Sequence, residues 1–168
     1  MALRHALLGL LSRGPASGYD LLKDFESSLI EVWPATQSQV YTELSKLSDD
    51  GLVSVLSAGA RGRKEYAVTP EGQAELRTWM ADTAPVYTRR SDMLLRVFFL
   101  NTLPDEDART YLATVRDAAS TQLSLLNTIG DGITSEDAVA RNGRIALDYG
   151  LRLAELQRDW AAWAISQI

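Results

Sequence analysis

The sequence predicts a mainly α protein with one small β hairpin in its first half. Three observations carry this. Apolar residues recur every three or four positions over most of the chain, cap signals stand at the starts of several of these runs, and one pair of β-rich stretches flanks a glycine-containing tip. With 168 residues the chain suits one domain, or a small domain with an appendage, and is long enough to bury a core.

Leu3, Ala6, Leu7, Leu10 and Leu11 share one helical face, and Gly14-Pro15 ends that helix. Ser17-Gly18-Tyr19-Asp20 has the form of a capping start for a second helix that buries Leu22, Phe25 and Leu29, with Val32-Trp33-Pro34 as its break. Thr36 and Gln39 form the reciprocal pair expected at the start of a third helix. Val40, Leu44 and Leu47 make its inward stripe, and Gly51 supplies a left-handed C-terminal cap. Its opposite face carries Ser38, Thr42 and Ser45, flanked by Tyr41 and Lys46, and is nearly free of acid until Asp49. Small hydrogen-bonding groups with one Tyr and one Lys suit a helix laid close against DNA; an ordinary solvent face is the other reading. Leu52–Leu56 and Glu65–Val68 are the two strands, and the tip between them holds Arg61, Arg63 and Lys64. Hairpin tips are commonly polar and edge strands often carry Lys, but three cations in four positions directly after two capped helices fit a wing on a phosphate backbone. Thr69-Pro70-Glu71 then starts a fourth helix, with apolar Leu76, Trp79 and Met80.

Composition narrows the function classes. There is no Cys and one His, His5, which argues against thiolate or histidine metal sites and thiol or His-driven catalysis. No nucleophile motif or Gly-rich phosphate loop is present, so no catalytic residue, metal or cofactor is expected and the chain is read as not an enzyme. Asp49-Asp50 reads as charge at a helix end. No apolar run is long enough to span a bilayer, and the start of the chain lacks a small-residue cleavage site, so a cytoplasmic protein without membrane contact is expected. A net charge of −5 is unusual for a nucleic-acid binder. Charge acts locally, however, and from Gly51 to Pro70 three cations face Glu65 alone. The acidic balance predicts weak non-specific binding.

Several spaced motifs, in order, resemble the PadR-like transcriptional regulators: Ala6–Leu11, Ser17–Leu21, Trp33-Pro34, Ser38–Leu44, Asp50–Val53 and Arg63–Gly72. The likeness is strong over the first half and looser through Met93–Phe99. It implies a winged helix-turn-helix dimer, usually a repressor, released from operator DNA by a small molecule in some members. Carried over by position, Ser38, Gln39, Tyr41 and Thr42 face the major groove or its phosphates, with Ser45 and Lys46 beside them. Arg61, Arg63 and Lys64 serve the wing, and Tyr19 either touches phosphate or packs in the core. Members often have an aromatic near His5, which is read here as a packing residue. A winged-helix protein-interaction module without operator binding is the alternative.

Pro85 and Thr88-Arg89-Arg90-Ser91 mark a hinge, giving a DNA-binding domain over 1–84 and a helical C-terminal domain for dimerisation, with a possible effector site, over 85–168. Leu94, Val97 and Phe98 belong to a short helix stopped at Pro104. A long helix starts within Asp105-Glu106-Asp107, where the helix dipole favours acids, and carries Leu112, Val115 and Leu126. Ser135 is the expected cap of the last helix, in which Tyr149, Leu153, Leu156, Trp160 and Trp163 alternate in steps of three and four. Run continuously to Ser166, it spans roughly 45 Å at about 1.5 Å per residue. That length suits an arm packed across a two-fold axis, with Leu112, Val115, Leu126, Leu153, Leu156 and Trp160 as the seam; an intramolecular helical hairpin is the other reading. Trp79, Phe98, Tyr149, Trp160 and Trp163, with Arg96 to meet a carboxylate, are candidates to line a pocket for a small aromatic effector, although most such aromatics are core. The expected partners are palindromic double-stranded operator DNA and a second copy of the chain.

Overall fold

The computed structural model describes residues 2–28, 33–58, 64–81 and 91–168. They form two compact units, Met1–Tyr87 and Thr88–Ile168.

In the first unit, helices α1 (Ala2–Leu11), α2 (Gly18–Ser28), α3 (Gln37–Asp49) and α4 (Pro70–Ala81) surround a small antiparallel sheet. Its strands are β1 (Ala16–Ser17), β2 (Val53–Ala58) and β3 (Lys64–Val68), in the order β1-β3-β2. The α3 cap is the one the sequence spells. Thr36 Oγ1 accepts from the Gln39 amide while Gln39 Oε1 accepts from the Thr36 amide, at 3.3 and 2.8 Å. Val40, Leu44 and Leu47 are fully buried, against Leu7, Leu8 and Phe25 of α1 and α2. Gly51 turns the chain at φ 72°, where a Cβ is unfavourable. Thr69 caps α4, accepting from the Gly72 amide while its hydroxyl donates to the Gly51 carbonyl. Strand β1 is not predicted by the sequence. It is two residues long and pairs Ala16 with Tyr66 and Ser17 with Glu65, partners some fifty positions away that leave no local trace. A bulge between Val55 and Ser57 leaves Leu56 unopposed on the hairpin.

The second unit holds α5 (Asp92–Phe98), a 3₁₀ turn (Leu100–Thr102), α6 (Asp105–Asp131) and α7 (Ala138–Ile165). Leu126 and Leu147 side chains lie closest to Gly150 and Gly130 respectively, and Arg109 hydrogen-bonds the Ile168 carbonyl. These pairings run in opposite directions along the two helices, so α6 and α7 form an antiparallel hairpin within one chain. The intramolecular arrangement is therefore present, and it corrects part of the expected seam. Leu112 and Leu126 are buried in the chain's own hairpin, and Val115 is half-buried. The buried positions of α7 are instead small residues, Ala154, Ala161 and Ala164, which let the helices approach closely. Its large apolar residues point out: Tyr149 is 70% exposed, Leu156 64% and Trp163 58%, with Leu153 exposed and Trp160 half-buried. The cap of α7 is Asp137 rather than Ser135. The carboxylate accepts from the Ala140 amide at 2.8 Å, and Ser135 donates to that carboxylate. Phe98 and Leu94 are likewise exposed, against the expectation that the C-terminal aromatics are mostly core.

Candidate nucleic-acid interface

Ser38, Gln39, Tyr41, Thr42, Ser45 and Lys46 all lie on the exposed side of α3, because the stripe Val40-Leu44-Leu47 fixes the opposite side inward. Ser38, Gln39, Thr42 and Lys46 also border a shallow groove with Leu3 of α1. Their chemistry is not uniform. Gln39 Oε1 is engaged twice by Thr36, through its amide and its hydroxyl. A bidentate contact to adenine needs both the oxygen and the nitrogen of the amide, so in this conformation Gln39 acts as a capping residue. The Ser45 hydroxyl donates to the Tyr41 carbonyl at 3.2 Å, which leaves its oxygen lone pairs outward. Lys46 stands 3.8 Å from Glu43, a surface pair of small energetic weight whose carboxylate nonetheless offsets the cation locally. Thr42 is exposed on the same face.

Tyr41 is less free than a projecting side chain. Its ring lies over Gly18 at the start of α2. Burial pushes the Tyr66 phenol above its ordinary pKa, and the neighbouring Tyr41 adds to the rise. The tyrosine that the sequence places on the outer face thus also packs against the start of α2. Tyr19, one residue beyond Gly18, is 65% exposed, which sets aside a core role. On the hairpin, Lys64 is exposed and pairs with Ala58 next to the tip; Arg61 and Arg63 lie outside the described residues.

The candidate effector residues separate between the units. Trp79 belongs to the first unit, where its indole stacks on His5 with centroids 4.6 Å apart and planes 5° from parallel. His5 is buried, as a packing residue should be, with Nε2 3.5 Å from Glu75 Oε1. Glu75 also pairs with Arg4, whose Nε stands 2.8 Å away at an angle too oblique for a hydrogen bond, while Arg4 Nη2 donates to Asp50 at 2.9 Å. Neither the His5–Trp79 stack nor this bracket is visible in the sequence, since each joins α1 to an element far along the chain. Phe98, Tyr149, Trp160, Trp163 and Arg96 belong to the second unit, and Arg96 is already bonded to Asp92 at 2.7 Å. Among the described residues, no cluster of His, Cys, Asp and Glu is arranged to hold a metal ion, and no helix is long and apolar enough to cross a membrane.

Residues 7–78 match the Transcriptional regulator PadR-like family, and residues 89–168 match the family described as Virulence activator alpha C-term. A negative transcriptional regulator PadR of Bacillus subtilis is 34% identical over 110 residues, covering 63% of this chain and 60% of that protein. The chain thus spans less than two thirds of that curated relative. Among solved structures, Bacillus subtilis PadR in complex with operator DNA superposes with a TM-score of 0.87 at 26% identity, covering 99% of each chain. The same protein in complex with p-coumaric acid superposes with a TM-score of 0.88 at 26% identity, covering 99% of this chain and 98% of that one.

Proposed function

We propose that this chain, which belongs to the PadR-like family of transcriptional regulators, is a cytoplasmic repressor that binds palindromic operator DNA as a dimer and is released by a small molecule. The observation that carries the reading is the double character of α3. A capping box and a buried Val40-Leu44-Leu47 stripe hold the helix rigidly, and a nearly acid-free face of short polar groups looks outward. Such a face fits the width of a major groove, where hydroxyls and amides meet base edges. Lys64, with Arg61 and Arg63 beside it in sequence, supplies phosphate contacts from the hairpin. These contacts position the protein without reading sequence.

Dimerisation follows from what α7 leaves uncovered. Tyr149, Leu153, Leu156 and Trp163 lie at three-, four- and seven-residue steps along one outer face of a helix of 28 residues, about 42 Å long. An apolar stripe of that length needs a partner, and a two-fold copy brings two recognition helices to two half-sites. The action is occupancy of DNA, with no chemistry at a catalytic group. For release, an amphipathic aromatic molecule of the kind bound by the Bacillus relative suits the exposed Phe98 and the half-buried Trp160 of the second unit. Arg96 holds Asp92 through Nε and keeps its Nη groups for a ligand carboxylate. The acidic net charge favours one other reading, a winged-helix module that binds protein and not DNA.

A gel shift with the DNA upstream of the chain's own gene, against a scrambled fragment of equal length, tests the proposal. Preferential retardation of the upstream fragment, weakened by a phenolic acid that also changes tryptophan fluorescence, is expected. Equal retardation of both fragments, or of neither, refutes operator binding.

A further inference from the structure

Gly18 opens α2 and is buried, yet its backbone does not call for glycine: the glycines with positive φ among the described residues are Gly14 and Gly51. What it requires is space. A Cβ at Gly18 would stand 2.5 Å from Cε1 of Tyr41, 3.2 Å from Cζ and 3.3 Å from Cδ1. All three of its nearest neighbours are therefore atoms of one aromatic ring, and none is backbone. The ring sits at the end of a side chain with two rotatable bonds, on a residue that is 38% exposed, so it has somewhere to go. A methyl group at position 18 would accordingly turn the Tyr41 ring and leave the helices where they are. The sheet holds the other side of this arrangement. Ala16, two residues before Gly18, is paired with the buried Tyr66 of β3, which fixes the start of α2 against the sheet.

We infer that Gly18 is a positioning residue for DNA binding, its missing Cβ setting the pose in which Tyr41 meets the nucleic acid. The inference rests on reading α3 as the helix that faces DNA. It separates two properties that normally move together. Alanine is the better helix former, so Gly18→Ala should keep or raise thermal stability while lowering DNA discrimination.

The test uses the full chain in four forms: wild type, Gly18→Ala, Tyr41→Ala and the double variant. Thermal midpoints and the Tyr41 ring resonances, observed with isotope-labelled tyrosine, are recorded without DNA. Affinities are then measured for the fragment upstream of the gene and for a scrambled fragment. We expect Gly18→Ala to melt no lower than wild type, to shift the Tyr41 ring resonances and to lose at least about fivefold in discrimination. Tyr41→Ala should lose a similar factor, and the double variant no more than Tyr41→Ala alone, because the added methyl then meets no ring. Unchanged ring resonances, a midpoint several degrees low, or losses that multiply in the double variant would each overturn the inference. So would full discrimination in Gly18→Ala while Tyr41→Ala loses it, a result that leaves the reading of α3 standing. If wild type itself fails to distinguish the fragments, that reading falls and the positioning role falls with it, whatever the ring resonances show.

Discussion

Gly72 and Gly9 give the same substitution opposite signs. Gly72 lies in the first turn of α4, against Leu52, the residue before β2. A Cβ there would stand 2.1 Å from the Leu52 carbonyl oxygen, 3.1 Å from its carbon and 2.9 Å from Cγ2 of Val68. The carbonyl cannot rotate aside, because it accepts from the Thr69 amide at 3.0 Å. Moving α4 instead would strip Thr69 of its cap to the Gly72 amide, at a cost of about 1 kcal/mol. Overpacking of this kind costs about 1–3 kcal/mol, against a helix-propensity gain of about 0.5–1 kcal/mol for alanine over glycine. The net for Gly72→Ala is then a destabilisation on the order of 1–3 kcal/mol once the cap is counted. In a unit of this size each kcal/mol moves the midpoint by about 4–8 °C. Gly9 sits in α1 with nothing within 4 Å of the place a Cβ would take, so Gly9→Ala should stabilise by up to about 0.5–1 kcal/mol. Urea unfolding followed by circular dichroism, with the slope m held equal among variants, measures both. A Gly72→Ala protein as stable as wild type would refute the close approach of α4 to the Leu52 carbonyl.

Thr42→Val, which keeps the shape and removes the hydroxyl, should reduce discrimination between cognate and scrambled DNA by about 1–3 kcal/mol if that hydroxyl bonds a base edge; unchanged preference in a competition gel shift removes Thr42 from the readers. Replacing Arg61, Arg63 and Lys64 with Ala should weaken binding nearly equally on all sequences and lower the log–log salt slope by about 0.9 for each phosphate no longer neutralised, on both wings of a dimer. A slope equal to that of wild type, measured by anisotropy against salt, would take the wing off the backbone. Leu153→Glu with Leu156→Glu should give a monomer in sedimentation at micromolar concentration while the helical signal is retained; a persistent dimer places the seam elsewhere.

The first unit is legible where its signals are local. Thr36 and Gln39 lie within one turn of each other, Gly51 ends the same helix, and Thr69-Pro70 begins the next, so neighbours alone assign the caps and stripes. Interactions made across the fold leave nothing to read. Strand β1, the seat of Tyr41 on Gly18 and the stack of His5 on Trp79 all join residues that are far apart in sequence. The exposed positions on α3 are recognisable as a polar face, but the commitment of Gln39 to its cap makes it a different residue chemically from Thr42. In the second unit, periodicity identifies an apolar face without saying what covers it. Leu153, Leu156 and Trp163 have the spacing of a packed stripe, yet in the chain's own hairpin that role falls to Ala154, Ala161 and Ala164. Alanine carries little hydrophobic signal, and close helix approach is the property it confers.

Arg4 gives the first unit a constraint on its own variation. One guanidinium holds Asp50, just past the end of α3, and Glu75, in the middle of α4. Replace Arg4 with a neutral residue and two carboxylates lose their common counter-ion. Exchange either acid alone and the guanidinium keeps only the other as its partner. The three positions therefore behave as one character in descent: lineages that drop the arginine should also have lost an acid, and those that keep both acids should keep a cation at position 4.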